Sequence, residues 1–416
     1  MSVQVSTHGS LMERLQIHLK TEGYSPSIQR SYPIFTKHFL DYCDSNALRV
    51  EAIGSAQVEQ FLRRQYQLVC KRRRQSPPFQ KWRWRYTSPV HLLLRLVHGR
   101  WPVPRPPVTS IEAFHRNLVL DYDAWLRDLR GLHPETRAKR TWHAHRFLTA
   151  LSPCADHETL ASLGVRDVDA YLKQLRSGLR RASIEDYTVC IRDFLRHLHR
   201  GGHTVLDLSG TVIGPRLYDH EDIPSALSPE EVQRVLEVTR EDHSPIGMRD
   251  HAILMLLATY GLRAAEIVRL RLEDIDWRRD LLRVRHAKTG AYSELPLLRE
   301  VGEAVLRYLQ KARPRSVDRA VFLRHYAPHR SFKEGSILNC VTSARLKAAG
   351  ITPRGRKGPH AFRHARAVSL LRSGVPLKVI GDVLGHTSAE AVGVYLKLAT
   401  EDLRKVGLEL PSGVMP

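Results

Sequence analysis

The sequence predicts a mainly α-helical protein with a small antiparallel β-sheet in its C-terminal half, and three observations lead there. Apolar residues recur at spacings of three and four along most of the chain, the signature of helices that bury one face. One short stretch, Leu281 to Leu297, instead alternates apolar and polar residues about a Lys-Thr-Gly turn. Clusters of proline and glycine cut the chain into pieces of domain size, and 416 residues is more than one hydrophobic core usually serves. The expected organisation is an N-terminal helical unit over residues 1–106, a second helical unit over 107–202, a linker over 203–221, a third domain with the sheet over 222–408, and a tail over 409–416.

The first boundary rests on Trp101-Pro102-Val103-Pro104-Arg105-Pro106-Pro107, where fixed φ angles and missing amide donors favour an extended linker. The two units it separates share landmarks: Gly23, Pro26, Phe39 and Leu40 recur 108 residues later as Gly131, Pro134, Phe147 and Leu148. Phe61-Leu62 recurs as Tyr171-Leu172, which suggests a duplicated unit, with chance likeness between two bundles as the competing explanation. In the second unit the stripes Val165, Val168, Tyr171, Leu172, Leu175 and Ile184, Tyr187, Ile191, Phe194, Leu195, Leu198 read as core.

Between Glu59 and Glu112 there is no acidic residue, while Arg72, Arg73, Arg74, Lys81, Arg83 and Arg85 are among a dozen basic ones. A charge run is usually a solvated face. Here Lys81-Trp82-Arg83-Trp84-Arg85-Tyr86 interleaves cations with aromatic rings, a pattern suited to phosphates and stacked bases, and the stretch is read as a DNA contact.

The third domain opens at Ser228-Pro229-Glu230-Glu231: Ser228 is placed to cap a helix, Pro229 to start it, Glu231 to complete a capping box and Leu227 to staple onto Val232. From Asp250 a buried helix (Ile253, Leu254, Leu257, Ala258) runs to Gly261-Leu262-Arg263, and a second helical stretch covers Ala264 to Leu272. The hairpin follows with Lys288 at its tip, where a lysine is by default solvated. Pro359 opens a helix that puts His360 and Arg363 on one face, and after Ser373-Gly374-Val375-Pro376 another helix ends at Gly385-His386, nine residues before Tyr395.

Lysine and arginine number 65 against 43 acidic residues, a net charge of +22 that points to a polyanionic partner, nucleic acid first. The longest near-apolar run, Ala252 to Leu262, is too short to cross a bilayer, no lipidation signal is present, and residues 1–20 lack a signal-peptide layout. Five scattered cysteines without CxxC spacing fit free thiols, so a cytoplasmic, nucleoid-associated protein without a membrane partner is expected.

Taken singly, each polar residue of the third domain has a bland explanation; as the ordered set Arg263, Lys288, His360, Arg363, His386, Tyr395 they resemble the catalytic signature of the tyrosine recombinase (phage integrase) family. The matching strings are Thr259 to Arg263 with Glu266, Leu270 to Asp276, Lys288 with Leu295-Pro296-Leu297, His360 to His364, Leu384-Gly385-His386, and Tyr395. Three departures stand out: Lys288 sits in His-Ala-Lys-Thr-Gly rather than a Gly-Lys-Gly turn, the basic residues that commonly follow that lysine are absent, and Phe362 replaces a leucine.

The resemblance implies helical core-binding-like bundles followed by the family's catalytic fold, and cleavage and rejoining of DNA through a 3′-phosphotyrosyl intermediate, without metal, cofactor or ATP. It implies Tyr395 as nucleophile, Arg263 and Arg363 as clamps on the phosphate, Lys288 as proton donor to the leaving oxygen, His360 as handler of the tyrosine proton and His386 as a hydrogen-bond donor to the phosphate. It further implies assembly as a homo- or hetero-tetramer on DNA, with sibling recombinases as possible partners, in the movement of a mobile genetic element. The alternatives weighed are a type IB topoisomerase-like enzyme, an inactive DNA-binding protein, a metal-dependent nuclease using Asp274, Asp276 and Asp280, and a zinc site of His360, His364 and His386.

Overall fold

In the computed structural model the described residues are 2–72, 77–103, 106–151, 155–176, 178–216, 226–286, 290–353 and 358–385. They form two compact units, one of the described residues within 1–103 and 222–416, the other of those within 104–221.

The chain begins with four helices, α1 (Ser2–Thr21), α2 (Pro26–Ser45), α3 (Ser55–Arg72) and α4 (Phe79–His98). Ser25 caps α2 by accepting from the Ile28 amide, with Pro26 at its first position, where a missing N–H costs nothing. Phe39, Phe61, Trp82, Tyr86, Val90 and Leu93 build the core between them. The 104–221 unit repeats the scheme with α5 (Ser110–Asp128), α6 (Pro134–Leu151), the short α7 (His157–Ala161), α8 (Val165–Arg176) and α9 (Arg181–Arg200) around Tyr122, Phe147, Tyr171 and Phe194.

The landmarks that recur in the sequence occupy like places. Gly23 and Gly131 both take positive φ, 72° and 58°, in the turns before α2 and α6. Phe39-Leu40 and Phe147-Leu148 are buried in the C-terminal halves of those helices, where Phe61 of α3 and Tyr171 of α8 pack edge-on against Phe39 and Phe147.

The remaining elements are α10 (Pro229–Glu241), α11 (Pro245–Tyr260), α12 (Ala264–Arg269), β1 (Ile275–Asp276), β2 (Leu281–Arg285), β3 (Tyr292–Pro296), α13 (Arg299–Lys311), α14 (Ile337–Ala348), α15 (Pro359–Arg372) and α16 (Leu377–Leu384). Ser228 accepts from the Glu231 amide and Glu231 accepts from the Ser228 amide, the capping box read in the sequence. Helix α11 is apolar on every side from Ala252 to Leu257 and correspondingly central: Ile253, Leu254, Leu256 and Leu257 are fully buried, and α10, α13 and α15 pack on it.

The sheet is antiparallel in the order β1-β2-β3, with Leu282 opposite both Ile275 and Leu295. Two details differ from the sequence reading. The helical stretch from Ala264 ends at Arg269, and a 3₁₀ turn over Leu272–Asp274 leads into β1, a third strand only two residues long. Asp274 and Asp276 are spent on these bends: Asp274 accepts from the Arg271 amide, and Asp276 from the amides of Arg278 and Arg279. Among the described residues no helix is long and apolar enough to cross a membrane.

Candidate active site

The site is assembled at the junction of α11 and α12. Helix α11 stops at Gly261, whose φ of 63° is open to glycine, and a Cβ there would come within 2.7 Å of the Leu384 side chain. Leu262 then plunges into the core and Arg263 becomes the N-cap of α12. Glu266, three residues on, turns its carboxylate back to that end: one oxygen accepts from the Arg263 amide at 2.7 Å and the other from Arg263 Nη1 at 3.0 Å. A carboxylate with a side chain 1 % exposed is tolerable only with charged partners, and the Arg263 guanidinium is one of them.

Arg363 comes to the same place from α15, started by Pro359 behind Gly358. Its residue exposure is 3 %, and it donates through Nη1 to the Gly261 carbonyl at 2.8 Å and through Nη2 to the Leu384 carbonyl at 2.5 Å. Arg263 Nη2 donates to the next carbonyl, that of Gly385, at 2.9 Å. Both arginines therefore engage the C-terminal end of α16, where unsatisfied carbonyls carry partial negative charge. Gly385 closes that helix with φ 62°, and a Cβ on it would lie 2.5 Å from the His286 ring.

His286 supplies another partner of Glu266: Nδ1 is 3.0 Å from the carboxylate and Nε2 is 2.7 Å from the Ser293 hydroxyl on β3. Tyr260, at the end of α11, donates to the Pro296 carbonyl at 2.7 Å and accepts from the Leu298 amide at 3.0 Å. Burial raises its phenol above the usual range, so it serves as a brace. Arg366, one turn beyond Arg363, packs beside Gly261, and burial lowers its otherwise very high pKa.

Of the six residues named from the sequence, the structure brings Arg263 and Arg363 to one helix end and leaves His360 exposed on the first turn of α15, its ring 6.3 Å from that of His364. Lys288, His386 and Tyr395 lie outside the described residues. Sequence reasoning gave no role to His286, Ser293 or Arg366. The inward parity of Leu282 and Val284 on β2, continued by His286 one residue past the strand, was the available signal, since a histidine continuing a buried row must find polar partners.

The basic stretch of the N-terminal unit divides between core and surface. Trp82 and Tyr86, four apart on α4, turn inward and are 6 % and 7 % exposed, so they form core rather than a stacking platform. Arg83 pairs with Glu59 at 3.1 Å. Lys81, Trp84 and Arg85 do face solvent. The Arg72 side chain, Arg73 and Arg74 lie outside the described residues.

Residues 225–402 match the Phage integrase family. The integrase/recombinase candidate y4gC of Sinorhizobium fredii (strain NBRC 101917 / NGR234) is 52% identical over 189 residues, 45% of this chain and 97% of that protein. The candidate y4rA of the same organism is 39% identical over 296 residues, 70% of each chain. Among solved structures, a lambda integrase dimer bound to a COC′ core site superposes with a TM-score of 0.53 at 16% identity, over 75% of this chain and 86% of that one, a likeness of fold.

Proposed function

Because the chain belongs to the phage integrase family of tyrosine recombinases, we propose that it cleaves and rejoins DNA strands at specific sites through a covalent 3′-phosphotyrosyl intermediate. The observation that carries this reading is the convergence of Arg263 and Arg363 on adjacent carbonyls, of Gly385 and Leu384, at the helix end directly before His386 in the sequence. Two guanidiniums held in fixed planes suit the non-bridging oxygens of a phosphodiester, where charge builds up as the phosphorus becomes five-coordinate. Each guanidinium has five N–H donors, so carbonyl contacts that set its plane are compatible with phosphate contacts.

In this reading the Tyr395 oxygen attacks phosphorus as the bond to the 5′-oxygen breaks. The phenolic proton passes to His360, Lys288 gives a proton to the departing 5′-oxygen, and His386 donates to the phosphate. The phosphotyrosyl bond keeps the energy of the phosphodiester, and the 5′-hydroxyl of a second strand reverses the steps, so no external energy source is consumed. Double-stranded DNA is the substrate, and four protomers, of this chain alone or with sibling recombinases, exchange strands between two duplexes. Movement of a mobile genetic element in the cytoplasm is the biological setting we assign.

The test uses a duplex selected for binding from a randomised pool and nicked beside the scissile phosphate. The protein is expected to form a denaturation-resistant adduct with it in EDTA and without ATP. Cleavage that disappears on chelation, or that leaves no adduct, would overturn the reading.

A further inference from the structure

His286 stands one residue beyond β2, and its backbone closes the hairpin: its N–H donates to the Ala291 carbonyl and its carbonyl accepts from the Gly290 amide, both at 2.8 Å. Lys288 is two residues further along this hairpin in the sequence. The His286 side chain turns inward, and the residue is 7 % exposed. An ionised carboxylate can only accept, so the bond to Glu266 puts a proton on Nδ1, while Nε2 meets the Ser293 hydroxyl. The ring edge fills the space over Gly385 that a Cβ would need. One imidazole thus touches α12, both strands' ends of the hairpin and the cap of α16.

We propose that His286 is a positioning residue for strand cleavage, fastening the lysine-bearing hairpin to the buried Glu266 that also holds Arg263. The proposal rests on the recombinase reading and deepens it. Its direction follows from what each side loses without the imidazole. Arg263 keeps two bonds to Glu266 and one to Gly385, so the clamp stays anchored. The hairpin loses its side-chain tie to Glu266 and the partner of Ser293 together. Loss of His286 should therefore act on protonation of the leaving oxygen, the step assigned to Lys288, more than on phosphate binding.

The experiment compares the full-length wild type with His286→Ala and His286→Asn on the nicked duplex, carrying either oxygen or sulfur at the scissile 5′-bridging position. A thiolate leaves without a proton. His286→Ala is expected to bind DNA as the wild type does and to cleave the oxygen substrate about ten- to a hundredfold more slowly, the range for losing a hydrogen bond to a charged group. It is expected to recover on the sulfur substrate. His286→Asn places an amide donor near the position of Nδ1 and should restore most of the oxygen-substrate rate.

Should His286→Ala fail to fold by circular dichroism, Ser293→Ala removes the other partner of the ring and should show the same split between oxygen and sulfur in weaker form. Wild-type cleavage of the oxygen substrate by the variants, or an equal defect on both substrates, overturns the proposal while leaving the recombinase reading in place. Failure of the wild type to form an adduct with either substrate overturns the recombinase reading itself.

Discussion

Arg263 and Arg363 donate to carbonyls one residue apart, those of Gly385 and Leu384, at 2.9 and 2.5 Å. Arg363 also donates to Gly261, the residue whose left-handed turn sends the chain to Arg263. The two cations are thus tied into one closed circuit of turn, helix end and guanidinium, although one caps α12 and the other lies on α15. A rigid pair is what a clamp on a developing charge requires, because reorganisation during the reaction would cost part of the stabilisation.

Replacing either arginine by alanine is expected to slow cleavage by about a hundred- to a thousandfold, the loss typical of removing one preorganised donor to a developing oxyanion. Arg363→Lys should not restore it, since a point ammonium cannot span the Gly261 and Leu384 carbonyls in one plane. Single-turnover cleavage measures this, with circular dichroism to separate folding. Rates within about tenfold of the wild type would remove the arginine concerned from the clamp.

Glu266→Gln keeps the shape of the side chain while removing its charge and presenting an amide N–H₂ to donors that now find a carboxylate. The variant should lose on the order of 1–3 kcal/mol of stability, the cost of leaving buried donors unmatched, and cleave more slowly. Thermal melts read the first effect. An unchanged melting temperature would mean that the Arg263 and His286 contacts contribute little.

Much of this arrangement is written in local sequence. Ser228-Pro229 and Gly261 mark helix ends because capping and left-handed turns have strict residue requirements, and the unbroken apolar run Ala252 to Leu257 declares α11 a central helix. The order and spacing of the six-residue signature are specific enough to point to the family, whose match spans residues 225–402. What escaped was either too short or non-local. Two residues of β1 carry no period, and Glu266, His286 and Ser293 meet only after the hairpin folds onto α12. On α4 the alternation of cations and rings looked like one binding face. The 3.6-residue turn instead sent Trp82 and Tyr86 inward and put Arg83 against Glu59.

The outward part of that stretch gives the next prediction. If Lys81 and Arg85 each neutralise a phosphate, alanine at both positions should make the slope of log affinity against log salt shallower by about 0.9 per contact, close to 1.8 in all. Arg83→Ala, which breaks the pair with Glu59, should leave the slope unchanged. Equal slopes for the double variant and the wild type would return this surface to ordinary solvation.

Burial of His143 on α6 lowers its pKa to about 4. An unfolded chain holds that proton up to a pKa of about 6.5, so the unfolded state binds more protons between these values. Stability is full above about pH 6.5 and falls as pH drops through the window, by about 2 kcal/mol at pH 5 for this group alone. His143→Phe should flatten the fall in melting temperature between pH 7 and pH 5. An equally steep fall in the variant would assign the acid sensitivity elsewhere, His251 on α11 being depressed to about 4 by burial as well.

The most direct measurement is the covalent adduct on the nicked duplex, formed by the wild type and by Tyr395→Phe and mapped by mass spectrometry of the proteolysed complex. The expected result is a nucleotide linked through its 3′-phosphate to Tyr395 in the wild type, and DNA binding without any adduct in the variant, which lacks only the attacking oxygen. An adduct on another residue, or one that persists in Tyr395→Phe, would contradict it.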